Sequence, residues 1–208
     1  MRTAVIGAGS LGTIIGALIT KNGGQVDLID NYQPNVDALR TKGATVTGTM
    51  EFNVPVSARA TQDMEGIYDL LLITTKQTAL AAVLPELVKH MDENSLALTL
   101  QNGIPEELVA AYVGQGRTAG GAVGWGATWL EPGVSKLTST MKVMENFAFE
   151  IGEIDGTDTP RIRRAQAILS LVGNTQVLDN LMGIRWAKVL MNATFSGMSA
   201  AMADTFGA

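Results

Sequence analysis

The chain has 208 residues, 46% of them hydrophobic and only 17% charged, with a net charge of −5, no cysteine and a single histidine, His90. That length suits one large domain or one domain with part of a second, and it buries a core without disulfide or metal staples. The composition excludes disulfides, thiolate chemistry and a multi-histidine metal site. Net acidity argues against a nucleic-acid partner, and no apolar run reaches the ~18 residues of a membrane span. The N-terminus lacks the pattern of a signal peptide, and the expected setting is cytoplasmic.

Residues Thr3 to Ile6 read as a buried strand running into Gly-Ala-Gly-Ser-Leu-Gly. From Ser10 to Lys21, Leu11, Ile14, Ile15, Leu18 and Ile19 recur at helical spacing, and Gly23 and Gly24 end that helix. Val26 to Ile29 predicts the next strand, closed by Asp30. Asp69 to Thr74 is apolar on both faces, as in a strand of a parallel sheet covered on both sides. Thr78 to His90 reads as a helix, with Pro85 counting against an unbroken one. Ser95 to Leu100 predicts another strand, ending at Gln101-Asn102-Gly103. Strands alternating with helices predict an α/β fold with a Rossmann-like doubly wound sheet.

Beyond Arg117 glycines become dense, and the pattern predicts an antiparallel β extension to Gly152 with a turn at Glu131-Pro132-Gly133. Pro160 opens a helix to about Leu171, Val177 and Leu178 form a short strand, and one long helix begins at Leu181. The expected division is a dinucleotide-binding domain, 1–179, followed by the start of an all-α second domain, 180–208.

Gly7, Gly9 and Gly12 form G-x-G-x-x-G between strand and helix. The first permits the tight turn, the second lets a pyrophosphate approach the backbone, and the third lets helix and strand pack closely. Together Gly7, Ala8, Gly9, Ser10, Leu11 and Gly12 would present free N–H groups to phosphates at the helix N-terminus. Asp30 lies 23 residues after Gly7, near the ~20 expected of the acid that binds ribose hydroxyls. Its carboxylate would repel a 2′-phosphate, and no arginine stands beside it, so NAD(H) is favoured over NADP(H). Gly16 extends the pattern to one that FAD proteins share, so this unit alone does not separate the two cofactors.

Two strand ends are polar. Lys76, after Thr75, is placed to meet ribose or phosphate, and Asn102 to hydrogen-bond ribose, nicotinamide or substrate. In the last helix Arg185, Lys188, Asn192, Ser196 and Ser199 fall on one face. The other positions are almost all apolar, which predicts a buried helix whose polar stripe faces a cleft, with Met191, Met198 and Met202 as core filler. A partly desolvated lysine suits a general acid, and Lys188 is the candidate.

Gly7-Ala-Gly-Ser-Leu-Gly12, Thr75-Lys76, Gln101-Asn102-Gly103 and Lys188 with Asn192 together resemble the ketopantoate reductase (2-dehydropantoate 2-reductase) family. Gly126-Ala127-Thr128 and Pro132-Gly133-Val134 resemble the segment leading into that family's β extension. The resemblance spans nearly the whole chain and removes the FAD reading. It implies NAD(P)H-dependent reduction of 2-dehydropantoate, a small 2-oxoacid, to pantoate on the way to pantothenate and coenzyme A, with no metal. It implies cofactor contacts at Thr75, Lys76, Asn102 and Thr128, proton donation by Lys188, and substrate contacts at Asn102, Asn192 and Ser196. A homodimer is compatible with a full-length member.

Three departures qualify it. Ser196 stands where the family usually has a second asparagine. Asp30-Asn31 replaces the basic residue of NADP-dependent members. The chain ends at Ala208, whereas family members continue and add a serine and a glutamate to the site, so the expectation is cofactor binding with weak or absent turnover. The competing expectations are a reductase of another 2-oxoacid and a non-catalytic dinucleotide-binding module.

Overall fold

The computed structural model describes residues 1–203, and the side chain of Ser196 also lies outside what is described. The elements run β1 (Thr3–Ile6), α1 (Ser10–Lys21), β2 (Asp27–Asp30), α2 (Gln33–Lys42), β3 (Ala44–Gly48), β4 (Phe52–Val54), β5 (Ser57–Ala60), β6 (Leu70–Ile73) and α3 (Leu80–Val88). They continue with β7 (Leu96–Thr99), α4 (Glu106–Val113), β8 (Thr118–Val123), β9 (Ala127–Glu131), β10 (Val134–Leu137), α5 (Met141–Phe147), β11 (Phe149–Glu153), α6 (Pro160–Leu169), β12 (Thr175–Val177) and α7 (Leu181–Met202).

The main sheet has eight strands in the order β12-β11-β8-β7-β6-β1-β2-β5. From β5 to β8 every neighbouring pair is parallel, while β11 runs antiparallel to β8. Chain direction across the sheet reverses beside β1, where β2 lies on one side and β6 on the other. Ile6 is level with Ile29 and Ile73, so the residues after all three strands emerge together. A reversal of this kind leaves a crevice at the carboxyl ends of the strands. Buried clusters lie on both faces, which is why β1, β6 and β7 are buried at every position.

The expected antiparallel extension is corrected in part. β8 and β11 join the main sheet, and the β9–β10 hairpin enters a second, four-stranded sheet of order β4-β3-β10-β9. The hairpin turns at Glu131-Pro132-Gly133, where Gly133 has φ +76°, but β10 pairs in parallel with β3, a strand some ninety residues upstream. A turn is local chemistry; a parallel partner is chosen by the tertiary fold. α1 packs against both sheets, so Gly12 through Ile19 are all buried. Gly16 serves that packing, since a Cβ there would lie 2.2 Å from Leu28.

α3 continues through Pro85 from Leu80 to Val88. Pro85 and Ala81, the position whose carbonyl loses its helical donor, are both exposed, so water can satisfy that carbonyl.

α7 overturns the expectation of a buried helix. Leu181 and Arg185 are buried at its start, but Leu190 is 64%, Met191 51% and Met202 67% exposed. Those methionines, with Met198, are therefore not core filler in this structure. The polar stripe turns toward the domain because Arg185 meets buried acceptors there, so the apolar remainder faces outward. Among the described residues, no helix is long and apolar enough to cross a membrane.

Candidate active site

The glycine loop leaves β1 with Gly7 at φ +98°, where its N–H donates to the carbonyl of Ile29 over 2.8 Å. A Cβ on Gly7 would lie 2.7–2.8 Å from Thr75, and one on Gly12 would lie 2.0 Å from the Gly7 carbonyl oxygen. A Cβ on Gly9 would meet nothing within 4 Å. The first and third glycines are thus required by the loop's own packing, while the second faces open space. Gly9 is the N-cap of α1, and among the described residues no side chain caps the helix. Its first-turn N–H groups are suited to accept an anion.

The residues that follow β6 and β7 clamp this loop. Thr74 Oγ1 donates to the Gly7 carbonyl over 2.8 Å, and Gln101 Nε2 donates to the Thr75 carbonyl over 2.8 Å. Gln101, nearly fully buried, also accepts from Thr99 Oγ1 at 3.0 Å. The result is a cleft of about 490 Å³ lined by Gly7, Gly9, Ser10, Leu11, Asp30, Thr75, Lys76, Gln101 and Asn102, among others. Ala8 is buried behind it and directs its carbonyl to Thr13 Oγ1 and Asn35 Nδ2.

Asp30, the last residue of β2, accepts from the Tyr32 N–H at 2.9 Å and from Asn35 Nδ2 at 3.3 Å. Its carboxylate therefore reaches the cleft already oriented. Asn35 is buried, and its Oδ1 accepts from the Gly133 N–H at 2.8 Å, tying loop, acid and second sheet together. Sequence reasoning missed Asn35 because an asparagine early in a helix has no periodic signature.

Two groups of predicted residues stand elsewhere. Thr128 lies on exposed β9, paired with Lys136, and does not line the cleft. Lys188 and Asn192 belong to α7, one turn apart and both half-buried; Ser196 follows in the same helix, its side chain outside the described residues. Lys188 lines a second hollow of about 280 Å³ with Val123, Glu150 and Met191. Its Nζ donates to the Val123 carbonyl over 2.7 Å. Burial, reinforced by the Arg185 charge and opposed by Glu150, brings its pKa down to about 8.

Arg185, on the same helix face as Lys188, reaches the strand ends behind the glycine cleft. It donates to the carbonyls of Gln101 at 2.6 Å and Thr99 at 2.9 Å, and to Glu106 Oε1 at 2.6 Å. The sequence placed Arg185 on the polar stripe but held no sign of Glu106.

The strand order and the glycine loop at its reversal define an α/β protein of the Rossmann-like dinucleotide-binding class. The likeness goes further: the family described as Ketopantoate reductase PanE/ApbA matches residues 3–155, and the chain belongs to it. The 2-dehydropantoate 2-reductase of Pyrococcus horikoshii is 27% identical, over all of this chain and 66% of its own length. The crystal structure of the 2-dehydropantoate 2-reductase from Geobacter metallireducens is 28% identical with a TM-score of 0.82, covering 97% of this chain and 66% of that one. A D-mandelate dehydrogenase solved with NADH and anilino(oxo)acetate has a TM-score of 0.82 at 23% identity, covering 96% of this chain and 63% of its own, a likeness of fold. The chain thus spans about two thirds of the length of these relatives.

Proposed function

We propose that this chain carries the nicotinamide-cofactor cleft and the proton donor of a 2-dehydropantoate 2-reductase, which reduces the 2-oxo group of 2-dehydropantoate to the hydroxyl of pantoate. The observation that carries the reading is the half-buried Lys188 ammonium, tied through Arg185 to the strand ends that line the glycine cleft. Family membership and the names of the relatives support the substrate.

The cleft fits a dinucleotide. Gly9 leaves its backbone open, the uncapped N-terminus of α1 suits a pyrophosphate, and Asp30 suits a ribose diol. NADH or NADPH bound there supplies the hydride. The protein's own part is to position and to protonate. Lys76 and Asn102 line the cleft beside Asp30 and can hold the ribose or nicotinamide end. Lys188 Nζ gives its proton to the substrate carbonyl oxygen as the carbon is reduced, leaving an alcohol and a neutral amine. A pKa of about 8 keeps the ammonium populated at neutral pH yet ready to release its proton. Asn192, one turn on, is assigned to the substrate. Asp30 favours NADH over NADPH by repelling a 2′-phosphate. We place the start of the substrate-binding part at residue 180, where Asn180 Oδ1 caps α7 by accepting from the Gly183 N–H at 2.9 Å.

The test is NADH oxidation by protein containing this sequence, with 2-dehydropantoate and a panel of other 2-oxoacids, beside direct NADH binding. Lys188→Ala should keep cofactor affinity and lose ~10²–10⁴-fold in turnover, the usual contribution of a general acid. Unchanged turnover in that variant, or equal rates with every 2-oxoacid, would overturn the assignment.

A further inference from the structure

We propose that Arg185 is a positioning residue: pinned by Glu106 and two carbonyls at the end of β7, it locks the turn of α7 that bears Lys188 onto the rim of the glycine cleft and sets a fixed positive charge beside that lysine. This inference rests on the assignment of Lys188 as proton donor.

Arg185 is 1% exposed. Its Nε and Nη2 both reach Glu106 Oε1, at 2.6 and 2.5 Å, while Nη1 and Nη2 donate to the carbonyls of Gln101 and Thr99. Only a planar guanidinium presents donors in these directions at once. One of these acceptors belongs to the cleft itself. Gln101 lines it and also holds Thr75, which packs against Gly7. Direct contacts therefore run from the glycine loop through Thr75 and Gln101 to Arg185, and Lys188 lies three residues further along the same helix face.

Stability alone accounts poorly for this pair. A buried ion pair is often matched or exceeded in stability by apolar residues of similar volume. Here Glu106 Oε2 has no hydrogen-bond partner among the described residues, and Gly120 must lack a Cβ, which would lie 2.1 Å from Glu106 Oε1. What the arrangement supplies is a rigid, charged neighbour for Lys188. Among the described residues, the groups facing that lysine are Arg185 on its own helix, Glu150 on β11 and, from β8, the uncharged Val123 carbonyl. Arg185 opposes protonation of Lys188 and Glu150 favours it, so Arg185 shares with burial the work of holding the amine below its ordinary value of 10.5.

The experiment is a pH titration of the Lys188 side chain by NMR with carbon-13 labelled lysine, the resonance being assigned by its loss in Lys188→Ala. In the wild type the midpoint should fall at about 8. In Arg185→Met/Glu106→Leu, which removes both charges and leaves neither ion unpaired, it should move upward toward 10.5. Arg185→Lys keeps the charge but loses the fork; its midpoint should stay low while amide exchange along the Lys188 turn accelerates and kcat falls more than KM rises. A wild-type midpoint near 10.5, or a folded double variant with unchanged midpoint and unchanged kcat, would overturn the proposal. The titration needs neither cofactor nor turnover. Failure of NADH oxidation would thus reject the proposed reaction while the role of Arg185 was still decided.

Discussion

The β1–α1–β2 unit and α7 are both rich in apolar residues, yet they bury opposite parts of themselves. In the first, Ile14, Ile15 and Ile19 are fully buried between two sheets. In the second, only Leu181 and Arg185 are buried among the described residues, and Trp186, Leu190 and Met202 face outward. Hydrophobicity decides that a segment seeks cover; a cluster of unpaired carbonyls and a carboxylate can decide which face receives it. At α7 the acceptors of Thr99, Gln101 and Glu106 need a cation, and a buried carboxylate without one is costly.

Substitutions can break or sharpen that contrast. The largest effect is expected at Gly12→Ala, where the Cβ meets the Gly7 carbonyl at 2.0 Å. The loop must open, destabilising the domain by ~5 kcal/mol, the upper end for one substitution. Denaturant unfolding should show it, and NADH binding should be lost together with it. Next is Glu106→Ala, which strands the buried Arg185 guanidinium at a cost of about 3 kcal/mol. Adding Arg185→Met should recover much of that loss; a single variant as stable as wild type would mean the pair is not buried as described.

Lys188 separates function from stability through pH. Its folded pKa of about 8 lies below the 10.5 of an exposed lysine. Between those values the unfolded chain holds a proton that the folded chain has released, so this residue's contribution to stability rises with pH across that window. Donor activity runs the other way, and kcat/KM should fall as pH passes about 8. The unfolding free energy of wild type minus that of Lys188→Met, followed from pH 7 to 10, should climb; a flat difference would contradict the depressed pKa. Asp30→Ala is a smaller change, expected to narrow the gap between NADH and NADPH affinities measured by fluorescence titration. Tighter NADPH binding by the wild type would refute the role given to Asp30. The smallest effect is expected at Trp186→Ser, because that ring is 55% exposed. Unfolding should change by about 0.5 kcal/mol or less, as for other exposed positions.

The glycine cleft was legible because its parts are local. Gly7, Gly9 and Gly12 occupy one turn, and Asp30 ends the next strand, so one strand–helix–strand unit carries the pattern. Segments 33–68 and 106–113 carried no comparable signal, and their elements α2, β3, β4, β5 and α4 were not anticipated. Asn35, which holds Asp30, and Glu106, which holds Arg185, sit in those segments. Each acts on a partner distant in sequence, and distance leaves no spacing to read.

Sequence alone determined the α/β alternation, the glycine turn, the placement of Asp30 and the shared face of Arg185 and Lys188, because each follows from backbone freedom or from a helical or strand period. Tertiary structure alone decided that β10 pairs with β3, that Thr128 stands outside the cleft, and that α7 turns Arg185 inward. Those outcomes depend on which acceptors and which sheet edge remain unsatisfied once the sheet has formed. The cation Arg185 meets them, and Lys188 follows on the same face of the helix, over a hollow of its own.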